Sequence, residues 1–320
     1  MRLTLVGAAV AGVLSASAPS LGVLIAARAL AGGLFAAVIP AALVYVGDTV
    51  GMSSRQKALA DLMAASAVGT ALATFLGGLA AHLDAWRVAF GAPALAGGAL
   101  AVLLMRLPEP KGFAAQERES PSRQLGRVLR RPWAALVVGL AMVEGAVILG
   151  FLTFLAPSLE SLGVSPVVAG LVVGFYGLAV LAWTRAVKRF AGRLGPAALI
   201  LMGGTMLALG YASGALSRSL AGAGVAAVLV GGGFAFMHST LQTWATEVVP
   251  EARATVISLF AAALFAGSGV ATMAAAPLAD EGRFGLLFAT AALTALPLAL
   301  FGALARRRYS AGPSENEPPI

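Results

Sequence analysis

The chain has 320 residues, of which 59% are hydrophobic and 11% charged, and its mean hydropathy is +0.89. A water-soluble globule cannot bury that much apolar surface, so the composition excludes a soluble protein. The net charge of +8 is distributed over short polar links. None of these links is long enough for a soluble catalytic or nucleic-acid-binding domain, and we predict a polytopic membrane protein.

Ten apolar stretches are each long enough to cross a bilayer, for which a helix needs about 17 to 25 residues. Gly and Ala fill them, and Val, Ile and Thr show no alternation with a period of two, which favours helices over a membrane barrel. We therefore predict an all-α fold. The stretches are 3–17, 21–47, 60–81, 88–105, 133–157, 165–183, 195–215, 222–245, 254–277 and 284–304.

The first stretch, MRLTLVGAAVAGVLSASAPS, also has the early Arg, the short apolar run and the small-residue end of an export signal. An internal repeat favours a retained helix instead, because residues 32–50 match residues 231–249 at a constant offset. Parallel repeats of six helices are a known transporter plan. On that plan the first stretch is the third helix of its half, and we expect the chain to lack two helices at its N-terminus. The export signal stays as the alternative.

The longest polar stretch separates four predicted helices from six and has the Pro, Gly, Ser and mixed charge of a linker. Basic residues concentrate on one side of the threaded helices, which places both termini in the cytoplasm by the positive-inside rule. We expect an integral protein of the bacterial inner membrane, in contact with lipid and monomeric. The predicted divisions are an N-terminal bundle (1–105), a cytoplasmic linker (106–132), a six-helix bundle (133–304) and a cytoplasmic tail (305–320).

Four motifs follow one another along the chain: APSLGVLIAARALAGG, which contains Arg28 and Gly32, then DTVGMSSRQKALA, AWRVAF and VVPEARATVISL. Together they resemble the major facilitator superfamily, in particular its drug:proton antiporter branch. The first is similar to the start of the fourth helix of that family, and the others are similar to the loop after that helix, the signature after helix five and the start of helix eleven. The resemblance implies a two-bundle fold in which about 10 of the 12 transmembrane helices are present.

The antiporter signature of helix five is only partly present, as GTALATFLGG. Gly69, Gly77 and Gly78 match it, whereas Ala73 and Thr74 replace the Gly-Pro pair of the family. Gly69, Ala73 and Gly77 still form a stripe of small residues that predicts close helix packing. The missing proline weakens the expectation of a bent helix and of export by antiport.

A cytoplasmic gate is implied by the resemblance and by the repeat, which matches Asp48 with Glu247 and is followed in each half by an arginine. The predicted gate residues are therefore Asp48, Arg55, Glu247 and Arg253. In the family, the acidic end of helix four faces a charged cluster between helices two and three. Only Arg2 could belong to that cluster here, so we expect Asp48 to have lost its partner.

Three ionisable residues lie inside the predicted spans and away from the span ends, namely Arg28, Glu144 and His238. Each costs at least ~2.5 kcal/mol in the hydrocarbon core and needs an explanation. The resemblance places them on helices four, seven and ten, which line the central cavity of the family. At a rise of ~1.5 Å per residue, Glu144 and His238 lie roughly 16 and 14 Å from the cytoplasmic helix ends, so they can face each other.

We predict that Glu144 carries a proton, because burial favours the neutral form of a carboxyl group and imidazole titrates near neutral pH. Purely structural alternatives stay open for all three residues. Glu144 can be a hydrogen-bonded buried acid, and His238 a packing residue or a polar cavity wall. Arg28, to which the resemblance gives a role in proton coupling, can instead tie its helix to a neighbour.

The function we predict is secondary active transport, with proton-coupled efflux of small amphipathic compounds by alternating access. The chain has no nucleotide-binding motif, no metal-ligand spacing and no nucleophile–base pair, so we expect neither an enzyme nor a cofactor. Its expected partners are a small-molecule substrate, protons and membrane lipid, and not nucleic acid. Two alternatives are a truncated fragment that does not transport and a facilitator for sugars or other metabolites.

Overall fold

The computed structural model describes residues 2–35, 38, 42, 45, 46, 49, 50, 52–104 and 121–309, and no strand occurs among them. The predicted all-α class is confirmed. Seven of the described helices, namely α4 and α6 to α11, are long and apolar enough to cross a membrane. The helices are α1 (Arg2–Ala16), α2 (Leu21–Phe35), α3 (Met52–His82), α4 (Trp86–Leu104), α5 (Pro121–Leu129), α6 (Pro132–Glu160), α7 (Pro166–Ala191), α8 (Pro196–Leu216), α9 (Leu220–Glu247), α10 (Arg253–Asp280) and α11 (Phe284–Arg308).

The helix starts follow local sequence signals. Pro132 and Pro196 occupy the first turn of α6 and α8, where a missing N–H costs nothing. Ser219 caps α9, since its hydroxyl accepts a 3.1 Å hydrogen bond from the Gly222 N–H. Gly163 after α6 and Gly282 after α10 have φ values of +83° and +70°, which glycine adopts without steric cost. Short turns therefore separate long helices.

The chain divides into two compact units, each held together by its own helix contacts. The first unit comprises residues 1–117 and 165–171, and the second comprises residues 118–164 and 172–320. The boundary near residue 117 lies in the predicted linker, whose first part is outside the described residues. The rest of that linker is not a simple loop, because α5 forms there and buries Val128 completely.

Small residues let the helices of each unit approach closely. In the first unit, α1 packs against α2 and α4, and Gly12 lies against Ala94. In the second unit, α8 packs against α9 and α11, and Gly204 lies against Ala299. The largest fully buried side chains of the described chain all belong to the second unit: Trp244, Tyr211, Phe236, Phe260 and Phe288.

Candidate functional site

Glu144 and His238 meet inside the second unit. The Nδ1 atom of His238 lies 3.2 Å from Oε2 of Glu144, and both residues are buried. The sequence predicted that the two lie at similar depths on facing helices, and the structure brings them into direct hydrogen-bond contact between α6 and α9. Their predicted role in proton coupling stays a prediction.

The contact between the two side chains needs one proton. Either the imidazole donates its Nδ1–H to the carboxylate, or the carboxylic acid donates its O–H to an unprotonated Nδ1. The second carboxyl oxygen, Oε1, is buried and has no hydrogen-bond partner among the described residues. An isolated buried charge is costly, so the imidazole is the group that stabilises this carboxyl.

Aromatic rings hold the imidazole in place. The ring of Phe234 stacks on His238, with a centroid distance of 4.3 Å and an interplanar angle of 14°. The ring of Phe260 on α10 also contacts the imidazole, with a centroid distance of 5.5 Å and an interplanar angle of 55°. Tyr176 of α7 packs edge-on against Phe234 at 6.2 Å. The orientation of the imidazole ring is thus set by packing as well as by Glu144.

A π-helical turn lies next to each member of the pair. In α6 the turn Ala146–Gly150 begins two residues after Glu144, and in α9 the turn Phe234–His238 ends at His238. The hydroxyl of Tyr211 donates a 2.5 Å hydrogen bond to the Val147 carbonyl inside the first turn. Single π turns within α-helices occur frequently at functional sites. Neither turn was predicted from the sequence.

Glycines fix the position of α6 against α10. A side chain at Gly145 would collide with the backbone of Leu264, and one at Gly267 would collide with the backbone of Met142. The two contacts are reciprocal, so the helices touch backbone to backbone beside Glu144. Since neither backbone can move as a flexible side chain does, this packing determines where the carboxyl group lies.

The predicted gate residues are only partly described. Asp48 lies outside the described residues, and Arg55 begins the second turn of α3 with a side chain that is not described. Glu247, at the end of α9, forms an ion pair with Arg306 of α11, with 2.7 Å between Oε2 and Nη2. Arg253, which the sequence suggested beside Glu247, is exposed at the start of α10. The sequence analysis did not identify Arg306, which lies within the predicted cytoplasmic tail (305–320).

Aromatic side chains surround this ion pair. Arg306 lies over the rings of Trp244 and Tyr309, at 5.3 and 5.1 Å, and Trp133 packs against both rings. Burial and the charge of Glu247 raise the pKa of Tyr309, while Arg306 acts to lower it. A cavity of about 490 Å³ opens beside the cluster, lined by residues 195–198, 247, 306, 307 and 309.

Arg28 lies in the first unit, on α2. Its guanidinium group is 5.3 Å from the centre of the Phe90 ring, and the residue is exposed. A guanidinium over an aromatic face gains a cation–π attraction, worth about 0.5 to 2 kcal/mol. The ring of Phe90, on α4, therefore stabilises the charged side chain of Arg28.

The predicted packing motif of α3 makes one close contact. Gly78 lies against the Pro166 carbonyl within the first unit, at a distance that leaves no room for a side chain. No atom of the described residues lies close to the position of a side chain at Gly69 or Gly77, and Ala73 is exposed. The described part of the first unit thus places Gly78 in a helix interface and leaves the other three residues without one.

The sequence profile of the Major Facilitator Superfamily matches residues 1–272. The chain belongs to the major facilitator superfamily. Solved structures agree with this fold at low sequence identity. The nucleoside transporter NupG is 16% identical, with a TM-score of 0.68 over 97% of this chain and 83% of that one. A D-xylose-proton symporter is 18% identical, with a TM-score of 0.68 over 94% and 80% of the two chains.

A transporter of the POT family, in complex with a thioalcohol-conjugated peptide, is 10% identical and has a TM-score of 0.71 over 95% of this chain and 81% of that one. No curated protein matches this chain significantly in sequence. Family membership and the apolar helices together identify an integral membrane protein with a transporter fold. The likeness to the solved structures extends to the fold alone.

Proposed function

We propose that this chain is a proton-coupled secondary transporter that exports small amphipathic compounds by alternating access. The observation that carries the proposal is the Glu144–His238 pair, which is buried inside apolar helices of the second unit. An ionisable pair within a membrane span is costly and typically marks a proton or substrate pathway. Glu144 is the proton-binding group in this proposal.

Coupling follows from a change in charge at a buried position. Adding a proton to the pair changes its net charge by one, and that charge interacts differently with a sealed protein interior and with a water-filled pathway. A ligand that binds two conformations unequally must shift their balance, and the proton acts here as such a ligand. The π turns of α6 and α9 lie at the pair, where a change in helix bend would alter its surroundings.

Other charged residues complete the proposal. Arg28 provides a cation beside Phe90. A charged side chain within an apolar span is unfavourable in lipid, so we place the guanidinium of Arg28 against protein or in a water-filled pathway. We assign the gate to Asp48, Arg55, Glu247 and Arg253, and we add Arg306 because it is the ion-pair partner of Glu247. In the proposed orientation both termini are cytoplasmic, in the inner membrane of a bacterium.

Proton-driven uptake is the second candidate function. One of the matched structures is a D-xylose-proton symporter and another is a nucleoside transporter. The same carboxyl–imidazole pair can couple protons to movement of a substrate in either direction, since only the order of binding differs. The direction of accumulation under a known pH gradient separates the two candidates.

The test is transport in proteoliposomes, with and without an imposed pH gradient. A panel of amphipathic cations, sugars and nucleosides is presented to wild type, to Glu144→Gln and to the control Glu281→Gln. Glu281 is exposed and pairs with Arg283 at the surface, so its substitution changes the same chemical group away from the pair.

Wild type and the control should accumulate at least one compound only when the gradient is present, while Glu144→Gln should lose that dependence. Accumulation of amphipathic compounds against the proton flow supports export by antiport. Accumulation of a sugar or nucleoside with the proton flow supports uptake instead. Gradient-dependent transport that survives in Glu144→Gln contradicts the role of this carboxyl group.

A further inference from the structure

The two members of the buried pair differ in their access to the surface of the second unit. The side chain of Glu144 is 0% exposed, whereas that of His238 is 11% exposed. A proton cannot cross packed apolar side chains without a chain of hydrogen-bonding groups. Any proton that reaches Glu144 must therefore pass through a polar group in contact with it.

The hydrogen bonds of the carboxyl group leave one route among the described residues. Oε2 contacts Nδ1 of His238, and Oε1 is sealed without a hydrogen-bond partner. The second ring nitrogen of His238, Nε2, is not among the sealed unpartnered atoms of the described chain. The imidazole therefore has one nitrogen on the carboxyl group, and the exposed fraction of its side chain is the only exposed part of the pair.

We propose that His238 is the proton conduit to Glu144, an inference that rests on the proposed function and assigns a mechanism to the same site. In the loading step Nε2 takes a proton from a hydronium ion, which is left as water, and Nδ1 gives its own proton to Oε2 of Glu144. The N–H bond at Nδ1 breaks, an O–H bond forms on the carboxyl group, and a new N–H bond forms at Nε2. The imidazole is neutral before and after, in its two tautomers.

Unloading is the reverse of this step. The carboxylic acid returns its proton to Nδ1, and Nε2 releases one to whichever aqueous side it then contacts. The ring does not need to rotate, because reversal restores the first tautomer. That agrees with the packing, since the stacked Phe234 and the tilted Phe260 both restrict rotation of the imidazole.

Among the described residues, the other ionisable groups near the pair are two tyrosines, and the phenol of Tyr176 interacts electrostatically with Glu144. Tyr176 of α7 packs on Phe234, and the hydroxyl of Tyr211 of α8 is committed to the Val147 carbonyl. From α10 the described contact of the pair is the ring of Phe260, which carries no charge. Both phenols stay protonated at physiological pH. Tyr176 is the one whose role needs a direct test.

The experiment measures how fast Glu144 exchanges its proton, by time-resolved infrared spectroscopy of the full chain in lipid vesicles. The carboxylic C=O band that Glu144→Gln removes belongs to Glu144. Its shift after a jump from H₂O to D₂O gives the exchange rate. His238→Phe replaces the ring without its nitrogens, and His238→Gln keeps a polar group that cannot relay protons.

Positioned acid–base groups accelerate proton transfer by about 10² to 10⁴, so both His238 variants should exchange about a hundredfold more slowly than wild type. Added imidazole should restore part of the rate in His238→Gln. Tyr176→Phe, the matched control, should exchange at the wild-type rate. Unchanged exchange in both His238 variants, or slowed exchange in Tyr176→Phe, would overturn the conduit.

The proton-exchange experiment and the transport assay can fail independently of each other. If Glu144→Gln retains gradient-dependent transport, the proposed function fails, while the exchange rates still report whether His238 leads to the carboxyl group. If the variants of His238 exchange like wild type, the conduit alone fails, and Glu144 can still be the coupling group with direct access to water.

Discussion

The hydroxyl of Tyr211 donates a hydrogen bond to the carbonyl of Val147, inside the π turn that follows Glu144. This bond connects α8 to α6 beside the buried pair. Its removal in Tyr211→Phe leaves a buried carbonyl without that donor, which costs about 1 to 3 kcal/mol. We expect a lower midpoint of thermal unfolding in detergent.

Tyr176→Phe is the matched control for this prediction, because it removes a phenol hydroxyl from the same unit without touching the Val147 carbonyl. Its unfolding midpoint should stay closer to that of wild type. Equal midpoints for the two variants would show that the hydrogen bond of Tyr211 does not stabilise the turn.

Packing of α6 against α10 gives a second prediction. Gly145→Ala should destabilise the protein by about 1 to 3 kcal/mol or more, because the new methyl group meets the backbone of Leu264. Gly139→Ala, on the same helix, has open space around it and should not destabilise. Unfolding midpoints of both variants check this, and a Gly145→Ala protein as stable as Gly139→Ala contradicts the close contact.

The ion pair of Glu247 and Arg306 should contribute to stability. Arg306→Gln removes a 2.7 Å contact and leaves the Trp244 and Tyr309 rings without their cation. Because the pair is partly buried, we expect a loss of about 1.5 to 3 kcal/mol. Arg283→Gln breaks an exposed pair and should cost less than about 1 kcal/mol. Denaturation of both variants at low and high salt tests the difference.

The raised pKa of Tyr309 predicts how the stability of the protein depends on pH. Burial and Glu247 raise its pKa from the ordinary 10.0, so the folded chain holds the phenol proton to higher pH than the unfolded chain. This contribution is fully present below the unfolded pKa and is lost as the pH rises through the folded value. Between pH of about 9 and 11, the unfolding midpoint of wild type should fall further than that of Tyr309→Phe. Parallel curves would contradict the raised pKa.

The sequence predicted the all-α class because long apolar runs leave few alternatives in a membrane. It also indicated that Glu144 and His238 lie at similar depths and can face each other, since the rise of a helix fixes depth once the helix ends are known. It missed the pairing of Glu247 with Arg306, because that contact depends on how α9 and α11 pack and not on sequence spacing.

The π turns and the support from Tyr211 were also missed. Neither turn contains a proline or another local signal, so only packing against neighbouring helices distinguishes it from a regular helix. One signal was present in the sequence: Tyr211 carries a polar hydroxyl inside an apolar run, and such a group needs a partner within the protein. Its acceptor, Val147, could not be identified without the structure.

We propose that Glu144 couples proton movement to substrate movement. A counterflow assay, which measures the exchange of labelled for unlabelled substrate across the membrane, separates this coupling from substrate binding most directly. Proteoliposomes loaded with an identified substrate are diluted into labelled substrate, first without and then with a pH gradient. Glu144→Gln should exchange label across the membrane like wild type and fail to accumulate substrate when the gradient is applied. Accumulation by Glu144→Gln at the wild-type level under the gradient would contradict the account.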